Sequence, residues 1–194
     1  IKTTVGTEII NADYRLEMEL YPNPASSIIN FALLSDQVID GIVTLASANG
    51  EIEVFTTRPD TIYGVTFMVL APEHDLVDSI TTAEYSEAVQ KYKKDAAALS
   101  DVERMQEKKV SGQFTGAYAL HPLTGEEIPI YIADYVFADY GTGAIMAVPA
   151  DDERDQRFAE KLNIPIKQII DRSEFPDAEI GDHRGTLINS DIIN

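Results

Sequence analysis

The stretch VFTTRPDTIYGVTFMVL, residues 54–70, contains two runs of β-branched and apolar residues separated by a polar turn. Because such residues favour strands and proline favours turns, we predict a strand over Ile52 to Thr56, a turn at Pro59-Asp60 and a strand over Val65 to Leu70. The first strand ends in threonines and an arginine. These side chains either simply end the strand or supply donors for a carbonyl, a ribose or a water.

A second stretch, GTGAIMAVPADDERD, occupies residues 141–155, about eighty residues further along the chain. Its opening Gly141-Thr142-Gly143 lacks the remaining residues of a dinucleotide or nucleotide-triphosphate loop. It is therefore either a tight turn or a close approach of the backbone to a ligand. A strand is predicted over Ala144 to Val148 and a helix over Asp152 to Leu162. We interpret the two stretches as walls of one polar pocket, suited to a substrate with an ammonium group and an ester carbonyl.

Three carboxylates, Asp151, Asp152 and Asp155, stand where this helix is predicted to begin. One of them is enough to cap the helix, and Asp152 and Asp155 share a face at a spacing of three residues. The helix dipole should also favour the ionised form of a carboxylate at this end. A carboxylate not used for capping would then be a permanent anion suited to binding an ammonium group.

The remaining pattern indicates strands with helices inserted between them. Further strands are predicted over 27–34, 41–46, 128–133 and 186–188, and helices over 73–80, 84–99 and after the capping box Ser100-Asp101-Val102-Glu103. This order is too irregular for a doubly wound sheet. We therefore predict an α+β fold with a β-barrel-like core and inserted helices.

We expect one domain over residues 1–194, in which 10–50 is an insertion or a divergent segment. Within that segment, Tyr21-Pro22-Asn23-Pro24 is expected to break any regular element. Residues 21–31 also resemble the opening of a bacterial type IX secretion sorting domain. That likeness leaves open a structural protein in which a secretion-type β segment is fused to this fold.

Composition excludes several classes of protein. The 15 basic and 33 acidic residues give a net charge of −18, which argues against broad binding to nucleic-acid backbones. There is no cysteine, and His74, His121 and His183 are scattered, so we expect surface or capping histidines and no metal site. No serine stands in a Gly-x-Ser-x-Gly turn, so water is the expected attacker in any hydrolysis. With no membrane span and no signal peptide, a cytoplasmic protein is expected.

Several runs of the chain resemble the editing domain, connective peptide 1, of leucyl-tRNA synthetases. They are Val54 to His74, Phe114 to Tyr118, Tyr140 to Pro149 and Asp152 to Asp155, within a match that covers about 51–194. The runs Asp60 to Gly64 and Ala144 to Pro149 resemble the leucyl enzymes rather than the valyl or isoleucyl ones.

This resemblance implies hydrolysis of the ester in tRNA(Leu) mischarged with norvaline, isoleucine or methionine. One methylene in an apolar pocket is worth only about 1–3 kcal/mol, so a synthetic site alone cannot reject such analogues. The implied partners are the 3′ end of tRNA(Leu) and the remainder of a synthetase, which would bind ATP elsewhere. No cofactor, no membrane contact, no aminoacylation and a monomer are expected. The alternative is a non-catalytic module that binds the tRNA 3′ end or an amino acid.

The resemblance also implies roles for site residues. The catalytic group is Asp155, Thr57, Arg58 and Asp152, and the substrate-binding group is Thr56, Thr61, Tyr140, Thr142, Met146 and Val148. Asp155 would hold the α-ammonium group with Asp152 in support, and Thr61 would exclude leucine. Thr56 to Arg58 would position the terminal adenosine and the attacking water, while Met146 and Val148 line the side-chain pocket. Asp151 departs from the His or Gly that is common in the family.

Overall fold

The computed structural model describes residues 20–23, 26–29, 41–47, 50–56, 58–106, 110–182 and 184–189. Ten strands, four α-helices and one 3-10 helix lie within these ranges. The strands are β1 (Leu20–Asn23), β2 (Ser26–Ile29), β3 (Gly41–Ser47), β4 (Gly50–Thr56), β5 (Phe67–Leu70), β6 (Gln113–Leu120), β7 (Glu127–Ile132), β8 (Ala144–Ala147), β9 (Ile170–Asp171) and β10 (Thr186–Leu187). The helices are α1 (Leu76–Ile80), α2 (Ser86–Ala97), α3 (Asp101–Gln106) and α4 (Glu153–Leu162), with the 3-10 helix at Pro59–Gly64.

Six strands form one mixed sheet in the order β4, β3, β6, β7, β5, β8. All neighbours are antiparallel except β5 and β7, which run parallel. The two edge strands, β4 and β8, also lie against each other, so the sheet curves round towards itself. The predicted α+β class is confirmed, and the curvature gives the core its barrel-like form without a hydrogen-bonded closure among the described strands.

Strand β5 is buried along its whole length because both faces of the sheet are covered there. Met68 and Leu70 face the larger apolar cluster, which includes Ile130 and Met146. Phe67 and Val69 face the opposite cluster, which α4 covers. This two-sided burial explains the continuous apolar run that the sequence shows in place of an alternating one.

Helix α4 is fixed to the outer face of the sheet by aromatic contacts. The ring of Phe158 stacks on Phe67 at 5.1 Å between centroids and meets Tyr131 edge-on at 5.4 Å. At its start, the side chain of Asp152 accepts hydrogen bonds from the backbone N–H groups of Arg154 and Asp155. The helix is thus held by one apolar face and a capped first turn, and its orientation decides where Asp155 lies.

Most of the predicted strands and helices are confirmed, with boundaries that differ by a few residues. The capping box is present, since Ser100 and Glu103 exchange hydrogen bonds at 2.7 to 3.3 Å at the start of α3. The turn predicted at Pro59-Asp60 is the first part of a 3-10 helix with proline at its start. Proline is suited to this position because it lacks the N–H that the first turn cannot use.

One strand of the six-stranded sheet was not predicted. Strand β6 was missed because Gly116 interrupts the alternation of side chains between the two faces of the strand. The pairing with β7 shifts register between Phe114 and Tyr118, and Gly116 has a φ of 81°. A Cβ at this glycine would lie 2.1 Å from the Thr82 hydroxyl oxygen, so the bulge also lets the loop before α2 approach closely.

The prediction that residues 21–24 break any regular element was wrong for the first three of them. Leu20–Asn23 forms β1 and pairs with β2 in a separate two-stranded antiparallel sheet. Both strands of a two-stranded sheet are edge strands. Proline is tolerated at position 22 because the outer side of an edge strand forms no backbone hydrogen bonds and needs no N–H donor. Further along, residues 41–47 form β3, which lies between β4 and β6 in the main sheet.

Among the described residues, no helix combines the length and the apolar character that crossing a membrane requires.

Replacing Phe158 by alanine should lower the free energy of unfolding by about 3–5 kcal/mol, because it removes the ring that joins α4 to the sheet and leaves a cavity. Urea denaturation followed by circular dichroism would measure the loss. Glu160→Ala is the matched control, since Glu160 is exposed on the same helix. A loss below about 1 kcal/mol for Phe158→Ala would contradict this account of how α4 is held.

Candidate functional site

The end of β4 and the 3-10 helix form a compact hydrogen-bonded unit. The backbone N–H of Arg58 donates to the hydroxyl oxygen of Thr56 at 3.0 Å. The hydroxyl of Thr61 donates to the carbonyl oxygen of Arg58 at 2.8 Å, and this threonine is only 1% exposed. The two threonine side chains therefore have fixed orientations on either side of Arg58. Thr57, which the sequence also assigns to this site, lies outside the described residues.

An ion pair joins this unit to the segment before α4. A guanidinium nitrogen of Arg58 lies 3.0 Å from a carboxylate oxygen of Asp151, and both side chains are largely buried. The other oxygen of Asp151 accepts a short hydrogen bond from Arg172, in the loop that follows β9. The structure thus brings together the two stretches that the sequence analysis interpreted as walls of one pocket.

Asp155 lies in the first turn of α4 and is 6% exposed. One carboxylate oxygen accepts a hydrogen bond from the backbone N–H of Val148 at 2.8 Å, and the other accepts from the hydroxyl of Tyr135 at 3.3 Å. Asp155 is therefore held between the end of β8 and the segment after β7. Because an ionised carboxylate has about four lone-pair positions, it can accept further hydrogen bonds.

The expectation that Asp155 is a permanent anion was wrong. Burial, followed by the nearby charge of Asp152, raises the pKa of Asp155 from 3.8 to about 7, and the hydrogen bonds from Val148 and Tyr135 offset only part of this. Loss of hydration outweighs the favourable helix dipole at this depth. Near neutral pH the carboxyl is thus close to its midpoint, and an added positive charge would favour its ionised form.

Asp152 has a different position and a different task. Its side chain is exposed, and one oxygen accepts from the N–H groups of Arg154 at 2.7 Å and Asp155 at 3.1 Å. Asp152 is therefore the cap of α4, and its charge acts on Asp155 through space. Of the three carboxylates at this helix start, one caps the helix, one pairs with arginines and one is left without a basic partner among the described contacts.

The backbone around Tyr135 is fixed by a buried arginine of α3. Arg104 donates to the carbonyl oxygens of Asp134 at 2.6 Å and Val136 at 2.9 Å, on either side of Tyr135. Burial raises the pKa of Tyr135 well above 10, so its hydroxyl stays protonated and can donate to Asp155. Tyr135 was not among the sequence candidates, because a tyrosine outside both stretches gives no signal until the fold is known.

The apolar wall of the site is built from β8 and the end of the 3-10 helix. Met146 and Val148 are buried in the larger core cluster. Gly64 approaches this wall so closely that a Cβ would lie 2.9 Å from both Val148 and Ile169. This contact sets the distance between the helix that carries Thr61 and the wall that carries Val148.

His121 is a further residue of the site that sequence reasoning missed. A surface or capping histidine was predicted. The side chain is buried beneath the 3-10 helix, so the surface alternative was wrong, whereas the capping alternative agrees with its contacts to the following turn. Its Nε2 lies 2.8 Å from the carbonyl oxygen of Ile62, next to Thr61, and its Nδ1 accepts from two backbone N–H groups of the following turn. Burial lowers its pKa, so it is a neutral donor to Ile62 at neutral pH.

Tyr140 and Thr142 lie at the other end of β8 from Val148. At about 3.3 Å per residue, the four residues of β8 separate the two ends by roughly 13 Å. Thr142 lines a cavity of about 540 Å³ together with His74 and Glu53, and Tyr140 is 68% exposed. Direct contacts connect Thr56 and Thr61 to Arg58, and connect Val148 and Asp152 to Asp155. The Arg58–Asp151 ion pair joins these two groups. Met146 lies within β8, whereas Tyr140 and Thr142 lie beyond its other end.

A smaller cavity of about 290 Å³ lies beside the start of α4. Its lining includes Asp151, Asp152, Arg154 and Gly181. No group of three or more histidine, aspartate or glutamate side chains in the described ranges is placed to hold a metal ion.

Comparison with known proteins gives two similarities. A family model described as the editing domain of leucyl-tRNA synthetase matches residues 40–194. The crystal structure of a ternary complex of the Agrobacterium radiobacter K84 agnB2 LeuRS with tRNA and LeuAMS is similar, with 38% sequence identity and a TM-score of 0.59. That similarity covers 68% of this chain and 16% of the synthetase chain, so this chain corresponds to a small part of the length of that protein.

Replacing Asp155 by asparagine should remove a pH dependence of stability. Since folding raises the pKa of Asp155 to about 7, the native protein binds more protons than the unfolded chain between about pH 4 and 7. The contribution of this group to the free energy of unfolding is therefore greatest below pH 4. It falls as the pH rises towards 7, by about 1.4 kcal/mol for each pH unit between the unfolded and folded pKa values.

Urea denaturation at pH 5 and pH 8 would measure this effect. Relative to the original chain, Asp155→Asn should become more stable as the pH is raised, whereas Glu160→Gln, an exposed change on the same helix, should show no such trend. An equal pH dependence for the original chain and Asp155→Asn would show that the burial of Asp155 does not shift its pKa.

Proposed function

The chain belongs to the family of leucyl-tRNA synthetase editing domains, and from this premise we propose that it hydrolyses the ester of tRNA(Leu) charged with a wrong amino acid. The proposed substrates carry norvaline, isoleucine or methionine, and the reaction takes place after the amino acid has reached the tRNA. The proposed setting is the cytoplasm, as part of a synthetase whose other domains bind ATP. A second site of this kind is needed because a synthetic site separates two amino acids that differ by one methylene by only about 1–3 kcal/mol in binding free energy.

The observation that best supports the proposal is the placement of Asp155 within one unit with Thr61. The Arg58–Asp151 ion pair joins the segment that carries Thr61 to the segment that leads to Asp155. Under this proposal, Asp155 would hold the amine and Thr61 would select the side chain. An aminoacyl ester offers an ammonium group and a side chain on the same carbon. The arrangement therefore suits this substrate better than a phosphate or a metal-bound ligand.

Asp155 would bind the α-ammonium group of the amino acid. The pKa of its carboxyl, at about 7 in the free protein, falls when a positive charge arrives, because the ionised form is then stabilised. The ammonium group would donate to lone pairs that the Val148 N–H and the Tyr135 hydroxyl leave unused. Binding and ionisation of Asp155 would thus occur together.

Thr61 would exclude leucine by the bulk of its γ-methyl group. Its hydroxyl is tied to the carbonyl oxygen of Arg58, which fixes the side-chain rotamer and leaves the methyl group unable to turn aside. His121 would support this position from below through the carbonyl oxygen of Ile62. A side chain without a branch at Cγ would pass where the γ-branch of leucine meets the methyl group.

The attack itself would be made by water, and the chain would provide orientation. Thr56 and Arg58 lie at the end of β4 with their hydrogen bonds defined, and with Thr57 they would position the terminal adenosine and the water. Such positioning can supply a large part of a hydrolytic rate enhancement without a covalent intermediate. The net charge of −18 fits a domain that meets only the tRNA 3′ end.

A non-catalytic module that binds the tRNA 3′ end or an amino acid is the second candidate. The observation in its favour is the burial of Asp155, whose two oxygens both have protein partners. Such a module would bind mischarged tRNA without releasing its amino acid. Incubation of the chain with norvalyl-tRNA and leucyl-tRNA separates the two candidates, because editing removes only the norvalyl ester.

Asp155→Ala should lower the rate of norvalyl-tRNA hydrolysis by about 100-fold, since it removes a charge-assisted hydrogen bond to the ammonium group. Release of radiolabelled norvaline under single-turnover conditions measures the rate. Glu160→Ala on the same helix is the control and should hydrolyse at the original rate. An Asp155→Ala chain that keeps its full rate would refute the ammonium-binding role.

Thr61→Ala should let the chain hydrolyse leucyl-tRNA, with a rate increase of about 10- to 100-fold, because the leucine side chain then fits. Thr61→Ser keeps the hydrogen bond to the Arg58 carbonyl oxygen but lacks the methyl group, so it should also accept leucine. If both variants spared leucyl-tRNA, the selecting role of Thr61 would be wrong. If only Thr61→Ala accepted it, the hydrogen bond and not the methyl group would be the selecting feature.

A further inference from the structure

Asp151 is a buried carboxylate shared between two arginines from distant parts of the chain. One oxygen lies 3.0 Å from a guanidinium nitrogen of Arg58, at the end of β4, and the other accepts from Arg172, after β9. Asp151 itself stands just before α4, and its backbone N–H donates to the carbonyl oxygen of Val148 at 2.9 Å. Three segments of the fold thus meet at one side chain.

Arg172 is fixed independently of this carboxylate. Its Nε and one Nη donate to the backbone carbonyl oxygen of Asp182 at 3.1 and 2.7 Å. The guanidinium group therefore has a defined place in the loop that precedes β10, and the Asp151 oxygen bonded to it has a defined place too. A carboxylate with one oxygen fixed in this way cannot turn freely, so its second oxygen presents a stationary acceptor to Arg58.

Arg58 is consequently held at both ends. Its backbone is fixed by the hydroxyls of Thr56 and Thr61, and its guanidinium group is held by Asp151. A long arginine side chain loses conformational entropy when it is ordered. Because Arg58 is already ordered in the free protein, this loss of entropy does not reduce the affinity for a ligand that binds Arg58.

Both guanidinium groups of the cluster contact the single carboxylate of Asp151, which holds each of them in a defined place. Both arginine side chains retain some exposure, at 17% for Arg58 and 13% for Arg172. A guanidinium group with a fixed orientation and some exposure suits the phosphodiester and ribose groups of an RNA 3′ end, to which its planar set of N–H groups can donate.

We propose that Asp151 and Arg172 are positioning residues that hold the Arg58 guanidinium group in place for the 3′ end of tRNA. The proposal rests on the function proposed above and adds two residues to it. Asp151 acts through Arg58, and Arg172 acts through Asp151. The carboxylate thus has a role in orientation that neither capping of α4 nor binding of the amino acid requires.

The test is a double-mutant cycle on norvalyl-tRNA hydrolysis by the 194-residue chain. Asp151→Asn should lower kcat/KM by about 10- to 100-fold, mainly through a higher KM, because a displaced positioning group weakens productive binding. In an Arg58→Ala background, Asp151→Asn should have less than about a twofold further effect. Asp177→Asn, which breaks the exposed pair with Arg184, is the matched control and should leave kcat/KM unchanged.

Two results would overturn the proposal. One is an Asp151→Asn chain with unchanged kcat/KM. The other is an equal loss from Asp151→Asn with and without Arg58, which would show that the carboxylate has only a structural role. If Asp151→Asn does not fold by circular dichroism, Arg172→Met takes its place, since Asp151 then keeps Arg58 as a partner. Arg172→Met should lower kcat/KM by about 3- to 10-fold only when Arg58 is present.

A binding measurement separates failure of this proposal from failure of the proposed function. The probe is a CCA trinucleotide whose terminal ribose carries norvaline through an amide in place of the ester, and calorimetry gives its dissociation constant. Asp151→Asn should raise that constant about tenfold, and by less than about twofold when Arg58 is alanine. If the original chain binds the probe in this way but hydrolyses no norvalyl-tRNA, the hydrolytic function is wrong and the positioning role stands. Binding that does not depend on Asp151 overturns the positioning role.

Discussion

Burial of β5 on both faces is the constraint from which the arrangement of the site follows. One face of the strand contributes Met68 and Leu70 to the larger apolar cluster, while the other contributes Phe67 to the cluster beneath α4. Because β5 also pairs with β7 and β8, it fixes the strand that leads to Val148 and the face on which α4 lies. The position of Asp155 is therefore a consequence of apolar packing.

The two buried carboxylates near the start of α4 are stabilised in different ways. Asp151 is neutralised by arginines from two other segments, whereas Asp155 has a backbone N–H and a tyrosine hydroxyl as partners and a raised pKa. Removing a charge from water costs several kcal/mol unless it is paired. Asp151 thus contributes to a fixed scaffold, whereas Asp155 is stabilised largely by its protonation near neutral pH.

Local patterns predicted much of the fold. Residue preferences and short spacings along the chain are enough to predict three features. They are the apolar strands on either side of the first turn, the capping box at Ser100 and the helix after Asp152. The sequence did not predict β6, because the bulge at Gly116 breaks the period of two on which strand recognition depends. Nor did it predict Tyr135 and His121 as parts of the site, since their partners are distant in sequence.

The sequence by itself determined the α+β class, the residue types at both walls of the site and the resemblance to an editing domain. These depend on local periodicity and on residues that lie side by side in the chain. Only the tertiary structure decided which of three adjacent carboxylates caps α4, which pairs with Arg58 and Arg172, and which is left with a raised pKa. Burial and the approach of distant charges set those roles, and both arise only when remote segments pack together.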